Sequence, residues 1–205
     1  MCRWAQLLAY EGRDGNLILA QAGADKHASG FAEGMNVQHG DTTFSMDGRF
    51  SDYNCYRLAF DSLGDLGSGG NLMGHASDPN VKRHRMKAFV AEAGALGQDI
   101  CQKRAQWEAT RNAGRGAQAT VTADSWKDSG GTLWTPNWLA PVSLAQGKIT
   151  GASWLIGQVS FLRDGEQGTR AEVMLIDKSA FLPEPVLLQP ELPDLQPGQP
   201  GAPAQ

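Results

Sequence analysis

The side chains able to do chemistry are few and scattered. The histidines are His27, His39, His75 and His84. No two stand four residues apart, as ligands on one helical face would, and no His-Glu-x-x-His occurs. A serine nucleophile needs a sharp presenting turn and a base within hydrogen-bond reach. Gly67-Ser68-Gly69 superficially suggests such an elbow, but it lies in a Gly-rich stretch that cannot hold it in place. Paired carboxylates would suit acid–base hydrolysis. Glu184 and Glu191 fall in a Pro-rich tail, and Asp164 and Glu166 flank a turn where water solvates them. Cys2, Cys55 and Cys101 are odd in number and far apart, which favours reduced thiols over a disulfide framework or a zinc site. The glycines between Gly64 and Gly74 do not follow a phosphate-loop spacing, and no Gly-Lys-Ser/Thr occurs. No catalytic, cofactor-binding or metal-binding residue is therefore assigned, and the chain reads as a non-enzyme.

Two features point to binding rather than reaction. Val81 to Lys87 is a basic run. In a chain of net charge -4 it reads as a solvated face or a contact to an acidic neighbour, not as a nucleic-acid site. Trp126, Trp134, Trp138 and Trp154 can anchor cores and interfaces, or stack on sugar rings if exposed.

The elements that must position these groups are mostly strands. The chain has 205 residues, 41% hydrophobic, with 25 glycines, which favours a turn-rich β architecture. It shows no secretory signal and no apolar run near the roughly 18 residues of a membrane span. Trp4, Ala5, Leu7 and Leu8 read as the end of an amphipathic helix whose beginning is missing. Asp14-Gly15 then turns the chain into a strand at Leu17 to Ala20. Thr42 to Met46 and Phe50 to Leu58 read as a hairpin, or as two strands of one sheet, around Asp47-Gly48. Residues 62–80 read as a mobile Gly-rich loop. Gln98 to Ala113 is the one amphipathic helix, with Ile100, Arg104, Trp107 and Arg111 on one stripe, Cys101, Ala105 and Ala109 beside it, and Gly114 closing it. Ala117, Ala119, Val121 and Ala123 alternate with polar residues in a strand with one dry face. Strands follow at Leu133-Trp134, Trp138 to Leu144, Ser153 to Phe161 and Thr169 to Ile176, with turns between them. The fold class is α+β, predominantly β, with small barrel-like sheet domains and one amphipathic helix. Residues 1–92 are expected to form one N-terminally truncated domain, 93–182 a helix plus β-barrel, and 183–205 a Pro-rich disordered tail.

The order of these motifs resembles a known family. The helix with Arg104, Trp107 and Glu108 runs into Gly114-Arg115. A strand ending at Trp126 follows, then Gly131-Thr132-Leu133-Trp134-Thr135-Pro136-Asn137, then Gly168-Thr169 and Ser179-Ala180-Phe181. Upstream, Gly15 to Leu19 and Arg49-Phe50-Ser51-Asp52-Tyr53 fit in order. From Trp4 to Phe181 the chain resembles the C-terminal two thirds of Mu-type phage baseplate hub proteins. The resemblance implies a non-catalytic hub in a contractile tail, a homotrimer between tail tube and central spike, with barrels that imitate tube subunits. It implies tail tube, spike and other baseplate proteins as partners, no nucleic acid, no cofactor, and a virion component made in the host cytoplasm. The family's N-terminal barrel has no counterpart here, Gly116 stands where Ser is commoner, and the Pro-rich tail is additional. Arg115, Val121, Ala123, Trp126, Trp134, Pro136 and Asn137 are the candidate subunit-interface residues. A carbohydrate-binding β module using exposed Trp is the alternative.

Overall fold

A computed structural model describes residues 7–12, 14–58, 71–91 and 99–185. Eleven strands and one long helix are assigned among them. Strands β1 (Leu8–Glu11) and β2 (Leu17–Ala20) form a two-stranded ribbon. Strands β3 (Phe31–Ala32), β4 (Val37–Phe44), β8 (Ala117–Ala123), β9 (Leu139–Leu144), β10 (Ile149–Asp164) and β11 (Gly168–Ile176) form a curled, half-barrel sheet in the order β3-β9-β10-β11-β8-β4. Strands β5 (Asp52–Leu58), β6 (Asn71–Ser77) and β7 (Met86–Val90) form a three-stranded sheet, β6-β5-β7. The helix, α1 (Asp99–Arg115), lies on that smaller sheet, and a 3-10 turn at Lys178–Phe181 follows β11.

The half-barrel follows from alternation and from bulges. Ala119, Val121 and Ala123 turn inward with Ala171, Val173 and Leu175, and Trp134, Trp154 and Phe31 complete the core. The 16-residue β10 shifts register between Ile149 and Ala152 and again between Ile156 and Gln158. An extra residue in one strand bends it and strengthens its twist. Gly151, at φ 61°, supplies the left-handed conformation the first shift needs.

The two edges of this sheet differ. At the β3 edge, Asn36 takes the Ala32 N–H on its Oδ1 (2.9 Å) and donates Nδ2 to the Gly30 carbonyl (2.9 Å). One amide side chain thus occupies backbone groups that a further strand would need. At the other edge β4 has β8 as its one partner strand among the described residues, with an isolated bridge from Val37 to Glu33 besides, so its outward backbone groups beyond Val37 meet no further strand there. Asn36→Ala is expected to leave both backbone groups without these partners, costing about 1–2 kcal/mol in denaturant unfolding; an unchanged midpoint would show that water replaces the amide at no cost.

Several expectations change. Leu8 lies in β1, not at a helix end, because its cross-strand partner is Ala20; residues 1–6 lie outside the described residues. The Asp14-Gly15 turn is present, with Gly15 at φ 77°. Strands β4 and β5 belong to different sheets, so the Asp47-Gly48 turn carries the chain from one to the other. Of the expected loop 62–80, Asn71–Ser77 is strand β6, while 59–70 lie outside the described residues. The helix runs through Gly114 to Arg115, because Gly114 is where Ser179 and Ala180 press against it. Its buried stripe is Cys101, Ala105 and Ala109, with Ile100. Arg104 and Trp107 instead hold residues 182–184: Trp107 Nε1 donates to the Leu182 carbonyl (2.7 Å), and Arg104 pairs with Glu184. Leu133-Trp134 makes only an isolated bridge, Lys127 to Leu133. The half-barrel also takes β3 and β4 from one side of residue 92 and β8 to β11 from the other. Residues 186–205 lie outside the described residues.

Candidate assembly surface

Three of the seven interface candidates are core residues. Val121, Ala123 and Trp134 are 0%, 1% and 1% exposed, so their dry face is spent within this chain. They can influence a subunit contact only by shaping the sheet, and an Asp at Val121 or Ala123 would test folding rather than association. Trp126 is half-buried, and its Nε1 donates to the carbonyls of Arg170 (2.9 Å) and Leu162 (3.2 Å), bracing the β10–β11 hairpin. Asn137 is buried at φ 67°, a conformation that Asn tolerates better than most residues. Its amide takes the Gly23 N–H (3.1 Å) and donates to the Gln21 carbonyl (3.0 Å) and the Tyr10 hydroxyl (3.2 Å). It therefore ties the β1–β2 ribbon to the barrel. Pro136 and Arg115 are exposed.

The described tryptophans do not form a sugar-stacking surface. Trp134 and Trp154 are buried, and Trp107, Trp126 and Trp138 are half-buried. A module that depends on exposed Trp does not fit the described residues.

What the barrel does present is a polar wall. Across β4, β8 and β11 the positions turned away from the core are His39, Thr122 and Glu172, then Asp41, Thr120 and Met174, then Thr43 and Gln118; Ile176, which ends this last row, is buried with Leu155 and Ala180. His39 Nε2 and Asp41 Oδ2 are 2.9 Å apart, and both side chains are exposed. This wall ends at the open edge of β4.

Sequence reasoning missed one buried polar centre. His27 Nδ1 lies 3.0 Å from Asp128 Oδ2, with both side chains buried. The Thr135 N–H donates to Nε2 (3.2 Å), so Nε2 is the acceptor and Nδ1 carries the proton given to Asp128. Asp128 also accepts the N–H groups of Ala28 (3.1 Å), Gly130 (3.0 Å) and Thr132 (2.9 Å). Burial alone would raise this carboxyl; the hydrogen bonds from His27, Thr132 and Ala28 outweigh it and hold it below the usual Asp value. Trp134 and Trp138 pack on the imidazole with centroids 4.9 and 4.8 Å away. An Asp–His pair is half of a hydrolytic relay, but here a backbone N–H occupies the nitrogen that would act on a substrate. The centre ties residues 27–28 to the turn at 128–132. The turn was legible, because an Asp that accepts N–H groups two and four residues on is turn chemistry. Its partner, 101 positions away, was not.

The profile of the Mu phage baseplate assembly protein GpP, fourth domain, matches residues 97–184. Baseplate hub protein gp44 of Escherichia phage Mu is 27% identical over 139 residues, covering 65% of this chain and 36% of that protein. Among solved structures, the prophage MuSo2 43 kDa tail protein from Shewanella oneidensis superposes with a TM-score of 0.72 at 24% identity, over 90% of this chain and 52% of that one. The tail protein from Neisseria meningitidis MC58 superposes with a TM-score of 0.68 at 22% identity, over 88% and 53%. The chain thus spans 36% of the curated relative it matches and about half of each tail protein.

Proposed function

On the premise that this chain is a Mu-like baseplate protein, we propose that it is a non-catalytic hub subunit, a homotrimer joining the tail tube to the central spike of a contractile tail. It is made in the host cytoplasm and works in the virion among other baseplate proteins. The observation that carries this reading is the asymmetric half-barrel: a curled sheet with a dry inner face, polar residues outward on β4 and β8, and an edge at β4 that meets no further strand beyond Val37 among the described residues, opposite an edge capped by Asn36. A strand edge gives backbone bonds for affinity, and alternating side chains give register. With one edge capped, the sheet cannot extend through both sides; a ring of three then needs the β4 edge to meet a different surface of the next copy, a heterologous contact that closes rather than growing a filament. The closed Asp128–His27 pair supports a structural role over a catalytic one.

Light scattering with hydrogen exchange tests the reading. The chain is expected to form trimers, and outward-facing amides within Val37–Phe44 are expected to gain protection when trimers or complexes with tail tube protein form. A chain that stays monomeric, with β4 amides exchanging equally fast with and without tail tube protein, would overturn it.

A further inference from the structure

Two exposed apolar surfaces of this chain do not meet each other. One is the β1–β2 ribbon, a kind of element that is marginal alone in water. Leu17 and Leu19 lie on one face of it, 71% and 52% exposed, opposite Glu11 and Ala9. The other is the face of the three-stranded sheet turned away from α1. Register places Met73, Tyr56 and Val90 in one row, His75, Asn54 and Ala88 in the next, and Ser77, Asp52 and Met86 in the third. Met73, Met86 and Val90 are 57%, 53% and 74% exposed, whereas the α1-facing side holds the fully buried Tyr53 and Cys55. Beside the third row, the β6–β7 connection carries exposed Lys82, Arg83 and Arg85.

We infer that the β1–β2 ribbon of one copy docks on the open face of the three-stranded sheet of a second copy. Leucines two apart on a strand stand on the same side, about 7 Å apart, and meet a cross-strand row in which Met73 and Val90 flank Tyr56, each about 5 Å from it. Methionine side chains adapt to such an insertion. Charge selects the pairing. The ribbon carries the carboxylates of Glu11 and Asp14, while the connection beside the sheet face carries the cations Lys82, Arg83 and Arg85. Ribbon on sheet brings opposite signs together; sheet on sheet would set the cations of both copies against each other, and ribbon on ribbon would do the same with carboxylates. The contact is therefore heterologous, and each copy both gives a ribbon and receives one until the ring closes. It rests on the homotrimer reading but uses surfaces other than the β4 edge.

Light scattering on the full 205-residue chain decides the matter. Leu17→Asp with Leu19→Asp, and separately Met73→Asp with Val90→Asp, are each expected to weaken trimer formation on the order of 100-fold. All four side chains are exposed, so the far-ultraviolet circular dichroism spectrum should stay native, and each variant should melt like wild type diluted to monomer. Mixed one to one, the two variants should form a heterodimer and no trimer, since one intact ribbon meets one intact face. Wild-type trimers that survive either pair of substitutions overturn the inference and leave the hub reading standing. A wild-type chain that never associates overturns both, and dissociated variants whose mixture yields no heterodimer overturn the ribbon-to-sheet pairing.

Discussion

Asp128→Ala will lower the thermal midpoint by about 10 °C or more. Removing one partner of a buried pair costs about 3–5 kcal/mol, because the other polar groups stay buried without it. For a chain of this size, each kcal/mol moves the midpoint by about 2–4 °C. Here the groups left behind are the His27 ring N–H and the backbone N–H groups of Ala28, Gly130 and Thr132. Asn is a poor replacement, since its amide NH2 must face at least one of these donors. The imidazole cannot turn its proton to Nε2 in compensation, because Thr135 N–H already points there. Trp134 and Trp138 lie against the ring, so their emission should shift to the red at temperatures where the far-ultraviolet signal is still native. Asp128→Ala combined with His27→Ala should cost less than the sum of the single changes by about 0.5–3 kcal/mol; strict additivity would mean that the two side chains do not act as one unit.

The same carboxylate sets an acid limit. Its folded pKa is depressed, so the stability it contributes is fully present above the unfolded Asp value of 3.8 and is lost as pH falls through the lower folded value. Wild type should therefore lose stability between pH 4 and more acidic values, and Asp128→Ala should lose less over the same interval. Parallel pH profiles for the two proteins would assign the acid sensitivity to other carboxylates, such as Asp164, which backbone N–H groups of Gln167 and Glu166 also hold below the usual value.

The sequence displayed what is local and periodic. Ala117 to Ala123 alternates because one side of β8 faces a core, and the burial of Ala119, Val121 and Ala123 follows that alternation. Turns at Gly15 and Gly48 were legible because Asp-Gly marks positive φ, found at 77° and 72°. Long-range pairing was not legible. Nothing near Val37 to Phe44 says that its partner is β8 rather than the next strand along, since the pairing reward comes from residues some 75 positions away. The helix posed a related problem. Two stripes were visible side by side, one of large side chains and one of small, and periodicity alone did not say which of them packs. The small stripe of Cys101, Ala105 and Ala109 went inward, because small side chains let a helix axis approach a sheet closely. Asn36, which closes the β3 edge, carried no signal beyond its residue type, because what it caps depends on where β9 places β3.

Gly74→Ala will detach the helix from the sheet it covers. A methyl group at Gly74 would sit 2.2 Å from the Cys101 carbonyl carbon and 2.3 Å from the Gln102 nitrogen, both backbone atoms that no rotamer change can move. Gly74 lies opposite Cys55 on β5, whose fully buried thiol burial pushes up to about 12. Glycine here is a clearance requirement, and a glycine-rich sequence read as a loop concealed a strand. Relief requires α1 to move outward, opening the contacts of Cys101, Ala105 and Ala109 with Tyr53 and Cys55. Overpacking costs about 1–3 kcal/mol when the surroundings can yield, and more when the obstacle is backbone. The expected result is a loss of about 3 kcal/mol or more, with Cys55 and Cys101 becoming reactive toward a thiol reagent under native conditions. The contacts of His75 with Gln102 should fail as well, because its N–H and carbonyl are both bound by that side chain, at 3.1 and 2.7 Å. The half-barrel core contains none of these residues, so the Trp134 and Trp154 environments should remain native. Native stability with both thiols still shielded in Gly74→Ala would mean that α1 does not bear on β6 as closely as these distances require.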